Sequence, residues 1–118
     1  MTAPPGWQPD PRLLALARTV QARIGAPAGA AVADDTGRTF AAPALTIAGC
    51  DFGALLLACA QAVAAGAREV VAAVMIGSAD PSATDLAAVA ELVGSAEVTV
   101  GVLDRDGRVR HVHVLSPA

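Results

Sequence analysis

Apolar residues recur at helical spacing in the first part of the chain, beginning at Pro11. The apolar positions are Leu13, Leu14, Ala17, Val20 and Ile24, and the polar side chains between them fall mostly on the rest of the helical wheel. One apolar stripe predicts an amphipathic helix. Proline suits the first turn of a helix and glycine its end, so Pro11 and Gly25 mark the expected bounds.

Two pairs of short apolar segments each enclose an acidic turn that contains glycine. The first pair lies in AGAAVADDTGRTFAA, around Asp34-Asp35-Thr36-Gly37, and the second pair, AEVTVGVLD and RVRHVHVL, flanks DRDG. Both patterns predict β-hairpins, because aspartate in turns bonds to the backbone and glycine tolerates unusual dihedral angles. These turn carboxylates are therefore assigned no acid or base role.

The segment GALLLACAQAVAAG, residues 53 to 66, is apolar on nearly every side. It predicts a helix over residues 51–66, with Asp51 as its N-terminal cap and Gly66 at its end. One face of this helix can cover a sheet, and the opposite face then needs a partner. We therefore expect a homo-oligomer through the helix 51–66, since an exposed apolar patch often marks an interface.

The chain continues with a buried strand and a third helix. REVVAAVMIG has the continuous apolar character of a strand that is buried on both faces. In DPSATDLAAVAELVG, Pro81 suits a helix start, and Ser82 and Asp85 have the spacing of a capping box. The predicted third helix ends near Gly94.

The predicted order is helix, two strands, helix, strand, helix, two strands. A strand, crossover helix and parallel strand normally form a right-handed unit whose sheet is covered by helices. The sequence thus predicts an α/β fold, a three-layer α/β/α sandwich with a mixed five-stranded sheet. A length of 118 residues suits one domain. We expect a flexible leader over residues 1–10 and a single domain over residues 11–118.

Charge and composition limit the kinds of partner that we expect for this protein. The net charge is −3, the isoelectric point is near 5.1, and only Trp7, Phe40 and Phe52 are aromatic. Such a chain offers neither the basic surface nor the stacking platform that nucleic acid requires. No apolar run approaches the roughly 20 residues that cross a bilayer, and the first residues lack the features of a signal peptide. We expect a cytoplasmic protein without nucleic-acid or membrane partners.

The remaining residues with metal-binding or nucleophilic chemistry are few. Cys50 and Cys59 form no C-x-x-C pair, and we expect both to be buried free thiols. His111 and His113 alternate along a predicted strand, so they share a face on which two imidazoles can bind a metal. We favour a solvated face, because a complete site needs three or four ligands. Arg110 falls on the other face by the same alternation.

Three segments in this order, GAAVADDTGRTF, AVAAGAREVVAAV and DPSATDLAAVAEL, resemble the cytidine deaminase family over residues 13 to 105. Members carry a Cys- or His-Ala-Glu motif at the start of the second helix and Pro-Cys-x-x-Cys at the start of the third. The resemblance implies a cytidine deaminase-like fold and one zinc ion with three protein ligands. In the family the metal activates a water for attack at C4 of cytosine, while the glutamate shuttles protons.

The chain departs from the family at every position of that machinery. Counted back from Gly66 without gaps, the first ligand position falls at Gly53 and the glutamate position at Leu55. The second motif aligns with PSATD, which places Ser82 and Asp85 at the two thiolate positions. Aspartate can ligate zinc, but serine rarely does. We therefore expect no catalytic residue and no metal ligand at the family positions.

Substrate-binding residues also differ. The family positions whose Asn and Glu hold the ribose and base are Ala42 and Ala44 here. Cys59-Ala60-Gln61 looks like a shifted motif, but it stands about two helical turns too close to Gly66. Its amide also cannot replace the proton-shuttling carboxylate. The shifted alignment is rejected.

These features favour a protein that has lost zinc-dependent deamination and serves as a non-catalytic oligomeric or protein-interaction scaffold. One alternative is an active cytidine or deoxycytidine deaminase with a rearranged zinc site, built from Cys50, Asp85 or a histidine. Another is a nucleoside-binding protein without catalysis. Zinc is expected as a cofactor only if the rearranged site exists.

Overall fold

A computed structural model describes residues 6 to 117 of the protein. These residues form three helices and two sheets. The helices are α1 (Pro11–Ile24), α2 (Ala54–Ala64) and α3 (Ala83–Glu91), and the strands are β1 (Ala28–Asp34), β2 (Thr39–Pro43), β3 (Leu45–Ile47), β4 (Cys50–Phe52), β5 (Val70–Gly77), β6 (Val98–Leu103) and β7 (Val109–Leu115).

The larger sheet has the strand order β2-β1-β5-β6-β7. Its β5–β6 pair is parallel and the other neighbours are antiparallel. Helix α3 makes the crossover between the parallel strands, as expected for a strand, helix and strand unit. The predicted mixed five-stranded sheet is confirmed.

Two apolar layers separate the helices from this sheet. On one face, Leu13 and Ala17 of α1 pack with buried side chains of β1, β5 and β6. On the other face, α2 and α3 pack through Leu55 and Val89 against the same strands. Close approach of α1 to the sheet needs small residues. At Gly29 of β1, an added Cβ would overlap the carbonyl oxygen of Ala17 in α1. The three-layer α/β/α sandwich is confirmed.

The first hairpin, β1–β2, is organised by the buried carboxylate of Asp34, which is 1% exposed. Its Oδ1 accepts hydrogen bonds from the backbone N–H of Thr36 at 3.0 Å and of Arg38 at 2.8 Å. The Arg38 guanidinium donates to Oδ2 at 2.8 Å. Burial alone would raise the pKa of Asp34, but the hydrogen bonds from Thr36 and Arg38 outweigh it and lower the pKa to about 2.

A second, two-stranded sheet, β3–β4, corrects the expected start of the second helix. The predicted helix 51–66 begins at Ala54, so its first three residues belong elsewhere. Asp51 is not the helix cap, because it lies in β4 and accepts a hydrogen bond from the Thr46 hydroxyl at 2.6 Å. Cys50, expected to be buried, is exposed for the same reason.

The start of the chain is described from residue 6. Residues 1–5 of the expected flexible leader lie outside the described residues. Trp7 lies against the sheet, since a Cβ at position 101 would overlap its ring. Asp10 caps α1 by accepting from the backbone N–H of Arg12 at 2.8 Å. None of the helices within residues 6–117 is long and apolar enough to cross a membrane.

Replacement of Asp34 by asparagine should lower the free energy of unfolding at neutral pH. The pKa falls from an ordinary 3.8 to about 2 on folding, so the stabilisation is fully present above about pH 4 and lost as the pH falls through about 2. Urea unfolding of the wild type and Asp34→Asn at pH 7 and pH 2 should show a difference that shrinks at low pH. Asp35→Asn, at the exposed neighbouring turn position, is the control, and an equal effect there would contradict the assignment.

Candidate functional site

A cavity of about 400 Å³ lies where the β3–β4 hairpin meets the first turns of α2 and α3. The N-caps of those two helices, Gly53 and Ser82, both line it. The full lining consists of Pro27, Ala44, Leu45, Thr46, Asp51, Phe52, Gly53, Asp80, Ser82 and Asp85. Two positive helix ends therefore converge on one concave surface.

Asp85 is the buried charge of this cavity, with 2% of its surface exposed. Its Oδ1 accepts a hydrogen bond from the backbone N–H of Leu56 in α2 at 2.9 Å. Its Oδ2 accepts from the backbone N–H of Ser82 at 3.0 Å, and Ser82 Oγ accepts from the Asp85 N–H at 3.0 Å. The expected capping box of α3 is present, and the same carboxylate also caps α2.

Gly53 leaves the space that this carboxylate fills. A Cβ at position 53 would overlap both carboxylate oxygens of Asp85. Gly53 is the N-cap of α2 but offers no side chain, so the cap of that helix comes from α3 instead. Glycine at position 53 and aspartate at position 85 thus depend on each other sterically.

Zinc does not fit the residues at the family positions. Gly53 has no donor atom, and Ser82 Oγ already accepts the Asp85 N–H. Each Asp85 oxygen accepts a backbone hydrogen bond. Within residues 6–117, no three His, Cys, Asp or Glu side chains group together to hold a metal ion. The residues at this site therefore do not form a set of zinc ligands.

The other family positions lie apart from the cavity lining or lack polar groups. Leu55, which the resemblance predicts at the glutamate position, is fully buried in the core between α2 and the sheet. Ala42 is likewise a core residue, whereas Ala44 lines the cavity with a methyl group. A carboxylate at position 55 would be buried among apolar side chains, which is costly without a partner.

Sequence reasoning missed the polar rim of the cavity. Thr46 and Asp51 are joined by the 2.6 Å hydrogen bond across β3–β4, and Asp80 pairs with Arg110 at 2.8 Å. Arg110 also donates to the carbonyl of Ala79 at 3.0 Å. Arg110 lies at the register shift between β6 and β7, next to Val109, which stands opposite Leu103, and no local pattern signals this shift.

The two cysteines have different surroundings. Cys59 is buried in α2, and burial, with a smaller contribution from the charge of Asp85, raises the pKa of its thiol to about 11. The thiolate is the nucleophile and the metal ligand, so Cys59 is inert near neutral pH. Cys50 is a free, exposed thiol on β4.

His111 and His113 lie on β7, away from the cavity lining. They stand opposite Val102 and Val100 of β6, and their ring centroids are 6.4 Å apart. The structure therefore brings Gly53, Ser82, Asp85 and Ala44 together and leaves the histidines elsewhere. A rearranged deaminase site that combines a histidine with Asp85 has no support from this arrangement.

Comparison with known proteins identifies the family to which this chain belongs. A family model described as cytidine deaminase-like matches residues 7–107. The chain belongs to the cytidine deaminase-like family. No curated relative matches its sequence. The cavity with its two converging helix starts lies within the matched residues.

Solved structures agree with that assignment of fold. Cytidine deaminase from Mycobacterium leprae is 17% identical, with a TM-score of 0.68 over 88% of this chain and 91% of that chain. The enzyme from Burkholderia pseudomallei is 25% identical, with a TM-score of 0.65 over 87% and 91%. A glutamate-to-glutamine mutant of the Mycobacterium tuberculosis enzyme is 19% identical, with a TM-score of 0.64 over 85% and 88%.

Replacement of Gly53 by alanine should destabilise the protein by about 1–3 kcal/mol, the usual cost of overpacking. The added methyl displaces the Asp85 carboxylate and breaks its bond to Leu56. Urea unfolding of Gly53→Ala, Asp85→Ala and the double variant tests this coupling. The two losses should be strongly non-additive, because Asp85→Ala removes the group that clashes. Simple addition of the two effects would contradict the steric dependence.

Proposed function

We propose that this cytidine deaminase-like protein has lost zinc-dependent deamination and acts as a non-catalytic, oligomeric scaffold. The observation that carries the proposal is the Asp85 carboxylate, which fills the space beside Gly53 and bonds to both helix starts. A carboxylate held in this way is a structural cap. In this proposal, the Asp85 carboxylate occupies the place of the zinc ligands and does not itself bind zinc.

The chemistry of deamination supports the same conclusion. Attack on the cytosine ring requires an activated water and a group that moves protons to and from the ring. Leu55 supplies no proton carrier, and the zinc that would activate the water has no ligand at Gly53. A rearranged site would have to recruit Cys50 or a histidine, and neither lines the cavity.

Nucleoside binding without chemistry is a second candidate, because the cavity of about 400 Å³ persists. Its rim offers the Thr46 hydroxyl and the Asp51 carboxylate, which are bonded to each other. Ala44 contributes no hydrogen bond where the family resemblance implies a polar residue. We rank this function below the scaffold, since a ligand would have to break existing polar pairs.

The scaffold proposal rests on the outer surface of α2. Val63 is 58% exposed, Ala60 and Ala64 are exposed, and Leu56 is half-buried. These residues border a groove of about 340 Å³ between α2 and α3, where Glu91 is the one charged side chain in the lining. A second copy of the same uncharged helix fits such a surface without opposing like charges. A cytoplasmic location and the absence of nucleic-acid partners stay predictions.

Purified protein supplied with zinc should not convert cytidine or deoxycytidine to the uridine products. Ultraviolet absorbance follows the reaction, and no change beyond the buffer rate is expected because the proton carrier and the metal ligands are missing. Asp85→Asn serves as a control for contamination, since a trace enzyme in the preparation would be equally active in both samples. Turnover that copurifies with the wild type and changes in the variant would overturn the proposal.

Thermal-shift measurements with a panel of nucleosides distinguish a scaffold function from a nucleoside-binding function. A ligand that binds only the folded state raises the melting temperature, and the rise grows with the logarithm of the ratio of ligand concentration to Kd. We expect no shift at millimolar nucleoside. A concentration-dependent shift that disappears in Asp51→Ala would favour nucleoside binding in the cavity.

Light scattering at micromolar concentration should give a mass above the 11.7 kDa of one chain. Val63→Glu should reduce that mass to the monomer, because it places a charge in the apolar surface of α2. Ile24→Glu is the matched control, since Ile24 is 57% exposed on α1 across the sheet. A monomeric wild type, or equal effects of both variants, would contradict an interface on α2.

A further inference from the structure

Strand β7 is an edge of the larger sheet, and no described strand pairs with its outer side. A surface groove of about 400 Å³ runs along it, and its lining consists of residues 109–115 of this strand alone. An open strand edge presents unpaired N–H and C=O groups, which are a template for another strand. The outer side of β7 therefore offers unpaired backbone groups to which another strand could pair.

The two histidines of the chain stand on one face of this edge. His111 and His113 are two residues apart, pair with Val102 and Val100 of β6, and have ring centroids 6.4 Å apart at an interplanar angle of 45°. His111 is exposed and His113 is half-buried. Both imidazoles are accessible, but one chain supplies only two ligands, and a protein-built zinc site uses three or four.

A second copy of the chain would supply the missing pair of ligands. In a two-fold antiparallel pairing of β7 with β7 centred on Val112, His111 lies opposite His113 of the partner subunit, and His113 lies opposite His111 of the partner subunit. Residues directly opposite in an antiparallel pair share a face, with Cβ atoms about 4.5–5.5 Å apart. Four imidazoles then surround one point.

We propose that β7 forms a metal-linked homodimer in which the four histidines bind one divalent transition metal ion. Imidazole suits Zn²⁺, Ni²⁺ and Cu²⁺, and zinc takes four nitrogen ligands at about 2.0–2.1 Å in tetrahedral geometry. Nitrogens on one zinc lie within roughly 4 Å of each other at those bond lengths. Rotation of the histidine side chains brings rings at the observed spacing into that range.

The same register agrees with the other side chains of β7. It places Val112 opposite itself, Val109 opposite Leu115 and Arg110 opposite Val114 of the partner subunit. No like charges oppose each other, and four of these five residues are apolar, so both charge and hydrophobicity are compatible with the pairing. Arg110 remains free to keep its ion pair with Asp80 at 2.8 Å. These matches select a second copy as the occupant of the edge.

The test uses full-length protein without a histidine tag, stripped of metal with a chelator and titrated with zinc chloride. Light scattering should show a twofold rise in mass, and metal analysis after gel filtration should give one zinc per two chains. Addition of chelator should reverse both changes. One zinc per chain without a change in mass, or no bound zinc, would overturn the proposal.

Two variants test the metal site and the strand pairing independently. His111→Asn combined with His113→Asn should abolish zinc binding and the rise in mass. Val112→Lys keeps both imidazoles but opposes two ammonium groups at the two-fold axis, so it should also prevent the zinc-dependent rise. Dimerisation by zinc that survives either variant would refute the proposed geometry, and circular dichroism checks that both variants fold.

The proposal is independent of the scaffold interface on α2, which is a different surface. Val63→Glu should leave the zinc-dependent doubling of mass intact. Conversely, the histidine double variant should retain any assembly that forms without metal. Loss of the zinc effect in Val63→Glu would contradict a separate site on β7.

Discussion

The carboxylate of Asp85 joins the starts of two helices that come from distant parts of the chain. It accepts from Leu56 in α2 and from Ser82 in α3, and it is almost fully buried. A negative charge between two helix N-termini is stabilised by both dipoles and by hydrogen bonds to otherwise unpaired N–H groups. In the family resemblance, zinc ligands stand at the same two helix starts. A hydrogen-bonded carboxylate occupies that junction here.

This junction shows how hydrogen bonds hold the starts of α2 and α3 together. The packing of α2 and α3 on the sheet depends on small and branched apolar side chains, and Leu55 has joined that core. Gly53 is required because a side chain there would displace Asp85. Gly53 and the buried carboxylate of Asp85 are thus two parts of one packing arrangement. Function resides in such sites, so a shared fold does not imply a shared reaction.

Local patterns anticipated most of the architecture. The turn around Asp34, the capping box of Ser82 and Asp85, and the apolar strand β5 all follow from interactions between residues close in sequence. The β3–β4 hairpin escaped prediction because its strands have three residues each and carry no clear alternation. Because Asp51 lies in this hairpin, it accepts a hydrogen bond from Thr46 and does not cap α2 as predicted. Cys50, in the same strand, is exposed.

The sequence by itself determined the order of the three helices and of the five strands of the larger sheet, the sandwich class, and the absence of polar side chains at Gly53 and Leu55. These properties depend on hydrophobic period, turn chemistry and residue identity, which are local. Only the tertiary structure decided what fills the space between the two helix starts. The Asp85 oxygen meets the backbone of Leu56 across 29 positions of sequence, and the fold brings Gly53 against that carboxylate. Contacts between distant segments arise from packing of whole elements, and no local pattern encodes them.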